Sequence, residues 1–229
     1  MKSVWMAVLA VLVIAGIAIA EEPGSLKSEK DKISYIIGLD IGNNLKRQGA
    51  DVDPDTLLKG MKDALSGNKP LLTENEIREV TTAFRQEMAA KQAEEKKKIA
   101  EKNKKEGEAF LEENKKKEGV KTLPSGLQYK VVSEGSGKSP KESDTVTVNY
   151  KGTFVDGTEF DSSYKHGEPA TFPVNGVIKG WTEALPLMKE GAKWQLFIPS
   201  DLAYGETGAG NVIGPNATLI FEVELISIK

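Results

Sequence analysis

The sequence contains no cysteine and a single histidine, His166. Without cysteine there is no disulfide, no thiolate zinc site and no lipidated N-terminal thiol, so the fold rests on packing alone. One histidine excludes a His-rich metal site. An excess of positive charge is also missing: 31 Lys and Arg stand against 34 Asp and Glu, a net −3 that gives no drive towards nucleic acid or anionic membrane. The one apolar run, Val4 to Ile19, is short of the ~20 residues that span a bilayer. Lys2 precedes it, and Ala18-Ile19-Ala20 followed by Glu21 and Glu22 ends it. A positive start, a short apolar stretch and a small-residue cleavage site predict a secretory signal peptide over 1–20, cleaved rather than kept as an anchor.

What is present falls into three regions. Residues 21–72 read as a small helical module. Ser28 and Asp31 form a capping pattern, and Ile33, Ile36, Ile37, Ile41 and Leu45 recur at helical spacing up to Gly49. Asp53-Pro54 opens a second helix with Leu57, Leu58, Met61 and Leu65 on one stripe, and Gly67 closes it. Two short helices cannot bury a core by themselves, so their apolar faces need a partner. Gly38 and Gly42 share a face of the first helix and suit a close helix–helix approach at a dimer interface.

Residues 73–118 predict one long helix, opened by Thr73 and Glu76 as a capping box. Ile77, Val80, Phe84 and Met88 form a stripe that then thins to Ile99, Phe110 and Leu111. Ten Lys and eight Glu crowd Lys91 to Glu118, with Glu94–Lys98, Glu101–Lys105 and Glu112–Lys116 at i,i+4 spacing. A helix polar on all sides bridges domains through solvent or frays. Gly107 reads as its weak point. Fully helical, about 45 residues span roughly 65 Å.

From 119 to 229 the period changes to two. Val146, Val148 and Tyr150 alternate with polar residues, as do Trp194, Leu196 and Ile198, and Leu219, Phe221, Val223 and Leu225. Asp156-Gly157 marks a hairpin turn. Gly180 to Met188 is the helical candidate, with Trp181, Ala184, Leu185 and Met188 on one side. The fold class is therefore α+β: an antiparallel sheet wrapped on one short helix, preceded by the long helix and the small all-α module. Gly205-Glu206-Thr207-Gly208-Ala209-Gly210 lacks the Gly-Lys-Ser/Thr ending of a phosphate loop and reads as a flap leading to Val212 and Ile213.

Five ordered segments carry a resemblance: Val148-Asn149-Tyr150-Lys151-Gly152, Asp156-Gly157-Thr158-Glu159-Phe160-Asp161-Ser162-Ser163, Val177-Ile178-Lys179-Gly180-Trp181, Ala203-Tyr204-Gly205 and Ala217-Thr218-Leu219-Ile220-Phe221-Glu222-Val223. The C-terminal half resembles the FK506-binding-protein class of prolyl isomerases. With Asp31-Lys32-Ile33-Ser34-Tyr35 and Lys59-Gly60-Met61-Lys62-Asp63-Ala64, the whole order of regions is similar to the macrophage infectivity potentiator branch of that family. The resemblance implies an FKBP-like sheet and a homodimer in the periplasm or at the outer membrane and cell surface. It implies no cofactor and no metal. The partners would be proline-containing, unfolded or partly folded polypeptides, and macrolides like FK506 or rapamycin.

The resemblance also implies a pocket built on Tyr150, Phe160, Phe172, Val177, Trp181, Ile213 and Phe221. Trp181 would be the floor and Tyr150, Phe172 and Phe221 the walls. The Ile178 N–H and the Tyr204 hydroxyl would bind substrate carbonyls, and Asp161 would polarise the site without transferring a proton. Two positions depart from the family pattern. His166 stands where many members carry a basic residue five positions after the aspartate, so that ion pair is expected to be weak at neutral pH. Ala170 replaces an aromatic two residues before Phe172, which opens the rim. The competing reading of the same architecture is a dimeric, non-enzymatic holdase whose long helices clamp unfolded chains.

Overall fold

The computed structural model describes residues 26–229, and the expected signal peptide lies outside them. The chain divides into two compact units, with the boundary between Thr73 and Glu74.

The first unit holds α1 (Glu29–Arg47) and α2 (Pro54–Ser66). Local chemistry sets their ends. The Asp31 N–H donates to Ser28 Oγ and the Ser28 N–H to the Asp31 carboxylate, each at 3.1 Å. At α2 the Thr56 N–H donates to Asp53 Oδ1 at 2.8 Å, Pro54 occupies the first turn, and Gly67 ends the helix in the left-handed region, φ 67°. Neither helix contains a buried residue. Ile36 is 56% exposed and Leu65 87%, so the stripes that the sequence pattern predicts are present and uncovered.

The second unit opens with α3 (Glu74–Asn114), whose 41 residues extend about 62 Å at 1.5 Å per residue. Ion pairs line its surface, in a pattern only partly that of the sequence. Glu94 meets Lys98 at 2.7 Å, but Glu101 takes Lys97 and Glu112 takes Lys115. The lower part of the helix is seated on the sheet rather than bridging through solvent. Met88, Gly107 and Asn114 are its buried positions. Phe110 packs on Phe197 with ring centroids 5.9 Å apart. Asn114 Nδ2 donates to Gln128 Oε1 at 3.0 Å, and Gln128 Nε2 donates to the Leu111 carbonyl at 2.9 Å.

The sheet comprises β1 (Val120–Thr122), β2 (Gln128–Ser133), β3 (Thr145–Phe154), β4 (Glu159–Ser162), β5 (Ala170–Pro173), β6 (Lys193–Ile198) and β7 (Leu219–Ile228). All pairings are antiparallel, in the order β1-β2-β6-β7-β3-β4, with β5 beside the start of β3. Two short helices complete the unit: α4 (Ser163–His166), which the sequence reading does not contain, and α5 (Lys179–Ala184). Alternation along β3, β6 and β7 turns Val146, Val148, Leu196, Val223 and Leu225 inward, where they enclose Trp181, Ala184, Leu185 and Met188. Gly180 permits this contact: a Cβ there would lie 2.5 Å from Ile198 Cγ2. Among the described residues no helix is long and apolar enough to cross a membrane.

Candidate active site

Each wall of the site comes from a different element. Tyr150 projects from β3, Phe160 and Asp161 from β4, Phe172 from β5 and Phe221 from β7. Val177 and Ile178 lead into α5, which carries Trp181, and Ala203 and Tyr204 follow a 3₁₀ turn at Ser200–Leu202. Together with Gly176 these residues line one cavity of about 460 Å³, within the range of small-ligand sites.

Trp181 is buried, and three rings stand edge-on to it. Tyr150 lies at 5.6 Å and 83°, Phe172 at 6.0 Å and 87°, and Phe221 at 5.3 Å and 81°. Phe160 then meets Phe221 at 5.5 Å and 88°. Edge-to-face packing places the positive ring edge on the negative face and holds each ring at a set angle. Gly152 makes room for this set: a Cβ would come within 2.6 Å of Phe160 Cζ and 2.9 Å of Phe221 Cε1. Gly152 ends the Val148-Asn149-Tyr150-Lys151-Gly152 segment and carries no periodic signal of its own. Its use shows only when Phe221 is placed opposite it in the register of β3 and β7.

The polar groups are few and tied to the walls. The Tyr150 hydroxyl donates to Asp161 Oδ2 at 2.6 Å, and the Ser162 N–H donates to Asp161 Oδ1 at 2.8 Å. His166 Nε2 lies 3.1 Å from the same Oδ1. The pair expected to be weak thus keeps hydrogen-bond distance, and a protonated or a neutral imidazole can donate across it. Burial pushes the Asp161 carboxyl up, but the hydrogen bonds from Tyr150, His166 and Ser162 outweigh it and hold the group below its usual range. Burial, then Asp161, pushes the Tyr150 phenol well above its ordinary value, so it stays protonated and donates. Ser163 Oγ accepts the Tyr150 N–H at 3.0 Å and anchors β3 to α4. Lys165, without a role in the sequence reading, pairs with Glu159 at 3.0 Å. Tyr204 is 40% exposed at the rim. Among the described residues the Ile178 N–H has no backbone acceptor.

Every residue named for the site faces this cavity except Ile213. Ile213 exchanges two hydrogen bonds with Ala209, at 2.8 and 3.0 Å, which close the tip of the flap. It lines a neighbouring cleft rather than the aromatic cavity. Ile213 is buried in the same cluster as Tyr150, Trp181 and Phe221, and the flap that carries it turns through Gly208 and Gly210, both with positive φ. Ala203 and Gly176 line the cavity without having been named. Among the described residues no cluster of carboxylate and imidazole groups is arranged to hold a metal.

A sheet curled over a short helix, with a tryptophan-floored aromatic cavity in the crease, is the architecture of the FKBP class. Residues 136–226 match the family model of FKBP-type peptidyl-prolyl cis-trans isomerase, and residues 30–131 match that of the domain amino-terminal to it. The chain is 51% identical over 229 residues to the outer membrane protein MIP of Legionella longbeachae, covering 100% of this chain and 98% of the relative. It is 50% identical over 204 residues to the peptidyl-prolyl cis-trans isomerase Mip of Coxiella burnetii, covering 89% of each. The crystal structure of FkpA from Escherichia coli superposes with a TM-score of 0.69 at 42% identity, over 90% of this chain and 99% of that one. The chain belongs to the FKBP-type peptidyl-prolyl cis-trans isomerases, in the group that carries a helical amino-terminal domain.

Proposed function

We propose that the enzyme turns Xaa-Pro bonds in the aromatic cavity, on polypeptides that fold after export. The observation that carries this reading is the cavity's composition: three rings packed edge-on to Trp181 and Phe160 packed on one of them, with Asp161, Tyr204 and the Ile178 N–H as the polar groups within reach. Rotation about a prolyl bond breaks amide resonance against a barrier of ~18–20 kcal/mol and makes no covalent bond. The planar amide is more polar than the twisted one, because resonance charges its oxygen and nitrogen. An apolar, water-poor cavity therefore penalises the ground state more than the transition state, and each ~1.36 kcal/mol of difference gives tenfold in rate. In this reading Trp181 supports the proline ring, and the Ile178 N–H and Tyr204 hydroxyl bind carbonyls on either side of the bond. Asp161 holds Tyr150 in place and polarises the cavity.

Two further parts belong to the same reading. The N-terminal 20 residues carry an export pattern, which supports a periplasmic or surface location. The uncovered stripes of α1 and α2 support a homodimer, since each copy would bury the other's apolar face. A dimer carrying two copies of the long α3 favours a holdase activity alongside isomerisation, with the helices clamping unfolded chains. A chain beginning at Glu74 separates the two: under this reading it keeps peptide turnover and no longer suppresses aggregation of an unfolded protein.

The deciding measurement is the cis-to-trans rate of a short Xaa-Pro peptide with residues 21–229, with and without FK506. Acceleration abolished by FK506, and reduced in Asp161→Ala and Tyr204→Phe, is the expected result. Unchanged turnover in both variants would refute these assignments.

A further inference from the structure

A second hollow, of about 520 Å³, lies between α3 and the flap. Ile99 and Asn103 form its helix side. Phe154 and Val155, where β3 turns towards β4, and Val212 and Ile213 of the flap form the other. We propose that this cleft is a second polypeptide subsite, which takes an apolar side chain of the client a few residues away from the proline. The proposal rests on the reading that the proline itself sits in the aromatic cavity.

The first argument is continuity. Phe154 lines the cleft and Phe160 lines the aromatic cavity, and their rings touch at 5.0 Å. The loop that begins at Ala203 and Tyr204 in the cavity continues into Val212 and Ile213 in the cleft. The two hollows therefore share one wall, made of the β3–β4 hairpin and the flap. An extended chain advances about 3.3 Å per residue, so a few residues cross a wall of that thickness.

The second argument is that the cleft is held open by specific contacts. Asn103 Nδ2 donates to the Pro215 carbonyl at 2.8 Å and ties the helix to the far end of the flap. Gly214 allows the approach, since a Cβ there would lie 3.1 Å from Asn103 Nδ2 and 3.2 Å from Ile99 Cγ2. Between these ties the apolar lining stays uncovered: Val212 is 62% exposed and Ile99 37%. Apolar surface of this kind, framed by fixed polar contacts, gains free energy from an aliphatic or aromatic side chain laid against it.

The third argument is charge. Lys96 and Lys102 at the edge are balanced by Glu106 and Asp156, with Lys102 and Glu106 4.0 Å apart. A balanced edge selects neither phosphate nor an acidic segment. It suits a polypeptide backbone carrying an apolar residue. Engagement of both hollows by one chain makes the second contact intramolecular, so long clients gain affinity that a tetrapeptide cannot.

The test uses residues 21–229 and two substitutions outside the aromatic cavity, Ile99→Glu on α3 and Val155→Asp on the hairpin. Turnover is compared on a proline tetrapeptide and on peptides of about twelve residues, long enough at 3.3 Å per residue to reach the cleft, with one Leu moved stepwise away from the proline. Both variants are expected to leave the tetrapeptide within about twofold. They should lower kcat/KM for the best long peptide about tenfold, the order for losing burial of one aliphatic side chain. Equal losses on short and long substrates, or no loss on either, would overturn the subsite and leave the aromatic cavity standing. A wild-type protein that fails to turn over even the tetrapeptide would overturn the cavity reading and the subsite with it. Thermal unfolding of both variants, matched to wild type, excludes a general loss of fold.

Discussion

Replacing Gly107 with alanine sets two physical effects of opposite sign against each other. Gly107 lies inside α3, where alanine is the better helix former by about 1 kcal/mol. It also faces Thr218, just before β7, at close range. An added Cβ would overlap Thr218 Oγ1 and come within 3.0 Å of Thr218 Cβ. The Thr218 hydroxyl is the nearest obstacle, and because Thr218 is buried it has little room to turn away from the added methyl. Overpacking at such a contact costs about 1–3 kcal/mol, so packing outweighs propensity. The expected net loss reaches about 2 kcal/mol, and for a unit of this size the melting temperature falls by up to roughly 8 °C. Differential scanning calorimetry of wild type, Gly107→Ala, Thr218→Ala and the double variant reads this directly. The cost of Gly107→Ala should shrink by about 1 kcal/mol in the Thr218→Ala background, because the two sites are in contact. A Gly107→Ala protein that melts higher than wild type, with no coupling to position 218, would show that α3 does not rest on Thr218.

Gly152→Ala should displace Phe160 and Phe221 and lower kcat/KM on a proline tetrapeptide about tenfold, a barrier change of ~1.4 kcal/mol; turnover within twofold of wild type would count against the close contact. The folded Asp161 carboxyl lies below its unfolded value of about 3.9, so its contribution to stability is complete above that pH and is lost as pH falls through the lower folded value. Wild type should therefore lose more melting temperature than Asp161→Asn between roughly pH 5 and pH 2, and parallel curves would refute the assignment. Nothing lies within 4 Å of a Cβ built at Gly38 or Gly42. Leucine at both positions is accordingly tolerated by the single chain but should give monomers by light scattering if that face meets a second copy, and an unchanged mass would remove these glycines from the interface.

Local chemistry was the most readable part of the chain. Ser28 with Asp31, and Asp53-Pro54 with Gly67, define the ends of α1 and α2 through contacts no more than a few residues apart, so the sequence carries them whole. The long helix was readable as a helix but not as a docked one. Beside Phe110 on Phe197, its seat consists of polar atoms and a missing side chain: Asn114 against Gln128, Asn103 against Pro215, Gly107 against Thr218. Hydropathy scores these as solvent-facing, and propensity makes Gly107 a weak point, because each partner lies far along the chain. The aromatic set around Asp161 was legible through the resemblance, since its order and spacing are distinctive. Which hollow Ile213 lines was not legible, because the flap's turn depends on Gly208 and Gly210 adopting positive φ. The short β1 and β2 have burial patterns without clean alternation, and β5 alternates over four residues only, so these strands left little periodic signal.

The position of β7 has a consequence for how the protein is made. It follows every other strand in sequence, yet it lies in the middle of the sheet, paired with β6 on one side and along most of β3 on the other. Until β7 emerges from the ribosome, β3 and β6 have no common neighbour, and Phe221, Val223 and Leu225 are missing from the interior they fill. A chain lacking this strand has nothing to lock shut, and the sheet closes only through contacts between distant parts of the chain, the slow kind of folding step.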